Sequence, residues 1–308
     1  MQRRKFIQNS IALGAAFSGA ETMSAAFDAG ANDRPDAPVY KMKYAPHDGM
    51  FKNHAGDDIL DQLQFIADEG FTAFEDNGMT GRDTALQEKM SRLMQKLNLA
   101  MGVFVAHRIY WNEGNLASGD KDKREEFLSD IKNAVEVAKR VNARWMTVVP
   151  GCVHPRLDAG YQLANVVEAL RRAADILAPH NLVMVLEPLN FHDHPNMYLT
   201  GSAQAYAICK AVGSPACKIL FDIYHMQIQH GNLIPNIDAS WDEIAYFQIG
   251  DNPGRKEPTT GEINYKNVFK HIHSKGFQGI LGMEHGNARP GKEGERALID
   301  AYKEVDAF

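Results

Sequence analysis

Four oxygen-bearing side chains close four short apolar runs in the second half of the chain. Glu187 follows Val183–Leu186, Asp222 follows Lys218–Phe221, Gln248 follows Ile244–Phe247, and Glu284 follows Ile280–Met283. Three carboxylates brought together repel one another and resist burial unless a cation answers their charge. A divalent ion is the simplest answer. With Gln248 binding through its amide oxygen every donor is a hard oxygen, which suits Mg2+ or Mn2+ better than Zn2+. Any one carboxylate could be an ordinary rim ion pair, but four in register on successive runs point to a metal centre.

The elements that must position this set repeat along the chain. Lys41–Ala45, Phe71–Phe74, Met101–Ala106 and Arg144–Val149 precede the four runs above, and each stops at a polar residue or a turn signal. The eight ends fall at 47, 75, 107, 150, 187, 222, 248 and 284. Their mean separation is roughly 34 residues, the size of one βα unit. Between them, residues 57–69, 83–97, 122–141 and 163–178 carry apolar side chains at three-four spacing, such as Phe127, Leu128, Ile131, Val135 and Ala138. The pattern predicts an α/β fold, a single-domain (β/α)8 TIM barrel over residues 39–308. A doubly wound open sheet is the alternative. It would favour a glycine-rich phosphate turn after the first strand, and Ala45-Pro46-His47-Asp48-Gly49 has none. In a barrel the strand C-termini meet on one rim, with neighbours about 4.8 Å apart, so the four oxygen donors can converge.

Composition narrows the partners. The 308 residues hold 33 Lys+Arg against 39 Asp+Glu, a net charge of −6, which disfavours nucleic acid. No apolar run is long enough for a membrane span. Three cysteines, Cys152, Cys209 and Cys217, are too few for a disulfide framework; Cys209 and Cys217 could pair, though small buried hydrophobes is the plainer reading. Three carboxylates and one divalent ion leave a charge of −1, which a neutral sugar tolerates and an acidic substrate must offset with nearby cations. Arg255, Lys256 and His225 are candidates. Glu75 and His107, at the ends of strands 2 and 3, face the same rim and could bind distal hydroxyls, with Trp111 and Phe51 as apolar walls. His192 and His194 could reach the rim as well, whereas His271 and His273, two apart on a helix, do not share a face.

The segments Leu186-Glu187-Pro188-Leu189-Asn190, Phe221-Asp222-Ile223-Tyr224-His225, Phe247-Gln248-Ile249-Gly250-Asp251 and Gly282-Met283-Glu284-His285-Gly286 resemble the hydroxypyruvate isomerase family of the xylose isomerase-like TIM-barrel superfamily. The loop from Asn252 through Arg255 to Tyr265 shares the resemblance, which covers roughly residues 40–305. It implies that Glu187, Asp222, Gln248 and Glu284 are metal ligands, that Glu187 and Glu284 shuttle the proton, and that His225 and Arg255 position substrate. Glutamine at 248 matches the hydroxypyruvate isomerase branch, where related epimerases carry histidine. The loop Phe191-His192-Asp193-His194-Pro195 departs from the arginine-bearing loop of the family. The implied reaction interconverts hydroxypyruvate with tartronate semialdehyde, or a related small sugar pair, through an enediolate. A keto-sugar epimerase, a lyase and a non-catalytic sugar-binding protein are the competing readings. A homo-oligomer is compatible with all of them.

Residues 1–26 have the layout of an export signal: Arg3-Arg4-Lys5-Phe6-Ile7, a weakly apolar run from Ile11 to Ala20, and the small residues Ser24-Ala25-Ala26. The arginine pair resembles a twin-arginine signal, which implies a periplasmic location. Residues 27–38 read as a linker.

Overall fold

The computed structural model describes residues 40–308. The expected export signal and linker, 1–26 and 27–38, lie outside the described residues.

Eight parallel strands form, each overlapping its expected run, β3 by Met101 alone: β1 Lys43–Pro46, β2 Ala73–Phe74, β3 Ala100–Met101, β4 Trp145–Val148, β5 Val183–Leu186, β6 Cys217–Asp222, β7 Ile244–Gln248 and β8 Ile280–Met283. Six pair in the order β1-β8-β7-β6-β5-β4, and β2 pairs with β3. Single bridges, His47 with Glu75 and Val105 with Thr147, join the two groups and close the ring. Across the second junction Ala106 N–H donates to Thr147 O (3.1 Å) and Thr147 N–H to Phe104 O (2.8 Å). β3 is thus shorter than its apolar run, whose second half holds the barrel through one bridge.

The helices between strands are α1 Lys52–Ala55, α2 Ile59–Asp68, α3 Thr84–Leu97, α4 Lys121–Val141, α5 Ala159–Leu177, α6 Ser202–Val212, α7 Ile223–Gln229, α8 Leu233–Ser240, α9 Tyr265–Ser274 and α10 Gly291–Asp306. Asp58, Asp83 and Asp120 accept hydrogen bonds from the first-turn N–H groups of α2, α3 and α4, which fixes where those helices start. Helix α5 begins four residues before the predicted 163. Its first three residues are exposed, so periodicity carries no signal there.

Two apolar layers hold the barrel. Ala45, Ala73, Val103, Val183, Val185, Leu220, Tyr246 and Ile280 fill its interior. A larger cluster, from Tyr44 and Leu63 to Ile299 and Tyr302, lies between strands and helices. Phe51 belongs to that larger cluster, stacked near Phe65 and Phe71, and is not a pocket wall. All three cysteines are free and buried. Among the described residues no helix is long and apolar enough to cross a membrane.

Candidate active site

Strand register brings the four oxygen donors together. Asp222 and Gln248, the last residues of β6 and β7, lie side by side, and Gln248 faces Gly282 of β8. Glu187 and Glu284 follow the ends of β5 and β8. Asp222 also caps α7: its Oδ1 accepts from the N–H groups of Tyr224 (2.8 Å) and His225 (3.2 Å). One residue therefore ends the strand, starts the helix and leaves Oδ2 for the site.

The charges are close, with Glu187 and Asp222 buried and Glu284 and Arg255 partly so. Burial, then the facing charges of Glu284 and Asp222, push the Glu187 carboxyl well above the usual carboxylate range. Burial raises Glu284 as well, although Arg255 opposes it. Glu284 accepts from Asn77 Nδ2 (2.8 Å) through one oxygen and from Arg255 Nη2 (2.6 Å) through the other. The same Nη2 donates to Asp222 Oδ2 at 3.2 Å, and Nε donates to the Glu284 carbonyl at 3.0 Å. Burial works against the Arg255 charge, but Glu284 and Asp222 outweigh it and hold the guanidinium protonated. The face of Tyr224 lies 5.0 Å from it. Arg255 is thus engaged by the carboxylates themselves.

Arg255 is carried by a loop that Asp251 folds. The buried Asp251 carboxylate accepts from the N–H groups of Asn252 (2.9 Å), Gly261 (2.8 Å) and Ile263 (3.1 Å), closing the segment on itself.

Gln248 is pinned by its nitrogen. Its Nε2 donates to Glu75 Oε1 at 2.8 Å, and its buried Oε1 has no partner. Glu75 was expected at a substrate hydroxyl. It is instead fully buried and accepts from Tyr246 Oη (2.5 Å), Gln248 Nε2 and His47 Nε2 (2.7 Å). It is a post that orients Gln248. Room for it comes from Gly282, where a Cβ would stand 1.9 Å from Glu75 Oε2. His107 has likewise another occupation. Its Nε2 accepts from Val149 N–H (3.2 Å) and its Nδ1 donates to Arg108 O (2.8 Å), so it staples β3 to β4. Burial pushes its pKa down to about 4, which keeps the ring neutral.

His225 is fixed as a donor. Asn190 Oδ1 accepts from the backbone N–H groups of His192 and Asp193, which orients the amide so that Nδ2 meets His225 Nδ1 at 2.7 Å. The Asn190 backbone N–H points at the same nitrogen (3.3 Å). A nitrogen that accepts from two donors carries no proton, so the hydrogen of the neutral ring sits on Nε2. Burial pushes the His225 pKa down to about 4. Nε2 is buried without a hydrogen-bond partner, 3.6 Å from Asp222 Oδ2 and 3.8 Å from Glu187 Oε1. Glu187, Asp222 and His225 each offer a ligand-type atom within 4.8 Å of the others. In that tautomer Nε2 carries a hydrogen and is a donor, so the atoms of this group that can ligate without losing a proton are the carboxylate oxygens.

The strand-5 loop does reach this rim. His194 stacks on half-exposed Trp111 (ring centroids 5.3 Å) and its ring lies 5.3 Å from that of His225. His271 and His273 lie elsewhere, with Asp238 and Phe308 as their respective partners. The supporting residues Asn77, Asn190, Tyr246 and His47 carry no sequence signal of their own, because each acts through a neighbour distant in the chain.

The model of the xylose isomerase-like TIM barrel matches residues 63–305. This chain belongs to that family. Within it, the chain is similar to hydroxypyruvate isomerase of Escherichia coli K12, 34% identical over 196 residues, which span 62% of this chain and 76% of the relative. It is 30% identical over 237 residues to 2-oxo-tetronate isomerase of Cupriavidus necator, covering 77% of this chain and 89% of that protein. Among solved structures it resembles an AP endonuclease, family 2, from Brucella melitensis, with TM-score 0.74, 26% identity, and 85% and 99% of the two chains covered. It shares the fold of a 3-keto-D-glucoside 4-epimerase from E. coli (TM-score 0.71, 19% identity, 87% and 100% covered).

Proposed function

We propose that this isomerase interconverts a small 2-keto compound with its aldehyde isomer, hydroxypyruvate or a near relative being the leading substrate, by carrying a proton between adjacent carbons with Glu187 and Glu284. The observation behind this reading is the pair itself. Two carboxylates, both raised by burial and Glu187 further by the field of Glu284, stand just past the ends of β5 and β8 around one cluster. A carboxylate so raised binds a carbon-derived proton more strongly than an exposed one, as a general base at neutral pH requires.

The residues fit a divalent cation. Glu75 takes the nitrogen of Gln248 and leaves its buried Oε1 without a partner, and Glu187, Asp222 and Glu284 supply an excess of negative charge. These four would hold Mg2+ or Mn2+ through oxygen alone. When bound, such an ion offsets the negative charge that develops on substrate oxygens.

The chain's own groups divide the remaining work. One glutamate takes the proton from the hydroxyl-bearing carbon, and the electron pair moves into the carbon–carbon bond to give the enediolate. The other glutamate returns a proton to the former carbonyl carbon. The hydroxyl proton passes to the neighbouring oxygen, which His225 Nε2–H steadies by a hydrogen bond. Arg255 keeps the charge of Asp222 and Glu284 in balance through the cycle.

Glu187→Gln and Glu284→Gln each remove a proton carrier while keeping size. Each is expected to cut turnover by about 10²–10⁴-fold and to abolish uptake of deuterium from D2O into the product carbon. Near-full rate in either variant overturns the two-glutamate scheme. Product analysis by NMR separates isomerisation from epimerisation or β-elimination.

The motif Arg3-Arg4-Lys5-Phe6-Ile7 supports a companion proposal, that the barrel is exported. The test is the N-terminus of protein recovered from the native cell envelope, where an intact Met1 overturns it.

A further inference from the structure

In a 2-keto acid the carboxylate is carried by the carbonyl carbon itself, so whatever holds it must stand beside the reacting oxygens. Arg255, the cation at the cluster, is engaged by Asp222 (3.2 Å) and Glu284 (2.6 Å). Among the described residues two rings pack on that of His225, those of Tyr224 and His194. The Tyr224 hydroxyl is occupied, donating to Asp193 Oδ2 at 2.8 Å. His194 is partly buried, and its ring nitrogens have no hydrogen-bond partner among the described residues.

The place of this free ring is fixed. Asn190 O accepts from His194 N–H at 3.1 Å, while Nδ2 and the N–H of the same Asn190 hold His225 Nδ1 at 2.7 and 3.3 Å, so one residue sets the spacing of the two histidines. Their ring centroids lie 5.3 Å apart, and His194 also stacks on Trp111 at 5.3 Å with 28° between the planes. The loops around the stack are laced together: Cys152 Sγ meets Trp111 O at 3.2 Å, and Val153 N–H donates to Asn196 O at 2.9 Å. His225 Nε2 is 3.6 Å from Asp222 Oδ2 and 3.8 Å from Glu187 Oε1, so His194 is one ring removed from the carboxylates. It lies within their field. Burial, then the charge of Arg255, lowers its pKa against the opposing Asp193 and Asp222. At neutral pH the ring is uncharged and offers one N–H donor and one acceptor.

We propose that His194, held in place by Trp111, is a substrate-binding residue whose ring N–H donates to an oxygen of the group attached to the carbonyl carbon, the carboxylate in hydroxypyruvate. The proposal rests on the isomerase reading, in which His225 Nε2–H meets the neighbouring reacting oxygen. The two histidines then hold adjacent oxygens of one small molecule, at the spacing that Asn190 sets. A neutral donor adds no further cation beside Arg255, and a hydroxymethyl group in the same position can accept from the same atom. A methyl group there leaves the partly buried N–H unpaired, which is where selection arises.

The test uses three 2-keto alcohols that share the reacting carbons and differ in that group: hydroxypyruvate (carboxylate), dihydroxyacetone (hydroxymethyl) and hydroxyacetone (methyl). Turnover is read as deuterium uptake from D2O at the hydroxyl-bearing carbon, on the full chain and on His194→Phe, which keeps a flat ring against Trp111 and removes both nitrogens. The ratio of kcat/KM for hydroxypyruvate over hydroxyacetone is expected to fall by about tenfold, mostly through KM. The ratio for dihydroxyacetone over hydroxyacetone should fall less, because a hydrogen bond to a neutral acceptor is weaker. Equal losses on all three leave the ratios unchanged, show His194 to be a support for its neighbours, and overturn the proposal. If the wild type turns over none of the three, the isomerase reading on these substrates fails, and His194 is judged separately by 15N NMR of the wild type. With Mg2+ present, D-glycerate, the unreactive reduced form of hydroxypyruvate, should move the His194 ring signals, and unmoved signals overturn the binding role.

Discussion

A single methyl group at Gly282 should dismantle the support of the candidate centre. An ideal Cβ there stands 1.9 Å from Glu75 Oε2, 2.7 Å from its Cδ and 3.0 Å from Oε1. Ordinary contact begins near 3.4 Å, so in Gly282→Ala the Glu75 carboxylate must retreat by roughly 1.5 Å. It is fully buried and held by Tyr246 Oη, Gln248 Nε2 and His47 Nε2 at 2.5–2.8 Å. A shift of that size breaks at least one of these bonds, and a bond to a buried charge contributes about 1.5–3 kcal/mol. Overpacking adds about 1–3 kcal/mol. The expected loss is about 3–5 kcal/mol, or a fall in Tm on the order of 10 °C for a domain this size. Because Gln248 turns with its post, Mn2+ affinity should drop by about 10–100-fold, as it does when groups behind a metal ligand are lost. Calorimetry reads both quantities. The decisive control is a double-mutant cycle with Glu75→Ala. The three nearest atoms to the new Cβ all belong to Glu75, so the double variant should be about as stable as Glu75→Ala alone, a coupling of about 2 kcal/mol or more. Additive losses would show that the methyl acts on something else and that Glu75 is not the post.

Three other perturbations probe separate supports. Asn190→Ala removes one of the two donors to His225 Nδ1 and should lower kcat by about tenfold or more, with the His225 nitrogen shifts in 15N NMR no longer those of one tautomer; unchanged shifts and rate would exclude the tautomer argument. For His107, the folded pKa of about 4 lies below its ordinary value, so the unfolded chain takes up a proton first and stability falls as the pH drops from about 6.5 towards 4. Between pH 7 and pH 5 the loss is about 2 kcal/mol, and in urea titrations the stability gap between wild type and His107→Gln should narrow by that amount, whereas a constant gap refutes the assignment. Asp251→Ala frees three backbone N–H groups of the loop that carries Arg255, and should cost about 3 kcal/mol, raise KM, and open residues 252–262 to limited proteolysis.

What the sequence shows and what it hides follow from range. The eight strands were legible because each is an apolar run of a few residues ended by a polar one, a purely local pattern. The four oxygen donors were legible for the same reason: a carboxylate or amide that ends a buried strand is conspicuous against its neighbours. Glu75 fits the same pattern, yet its carboxylate is taken up by protein donors. It satisfies the local rule as well as Glu187 does, and its different occupation is decided across the barrel. Gly282 leaves the space, Tyr246 and Gln248 supply the donors, and all three lie more than 170 residues further along the chain. The His107 ring is taken up likewise, by the backbone of Val149 just past β4. The distinction between a group that faces substrate and one that faces the protein lies in the partner's identity, and that is set by barrel closure. Long-range pairing therefore decides which groups of the rim are taken up by the protein, as Glu75 and His107 are, and which atoms are left without a partner, as Gln248 Oε1 and His225 Nε2 are.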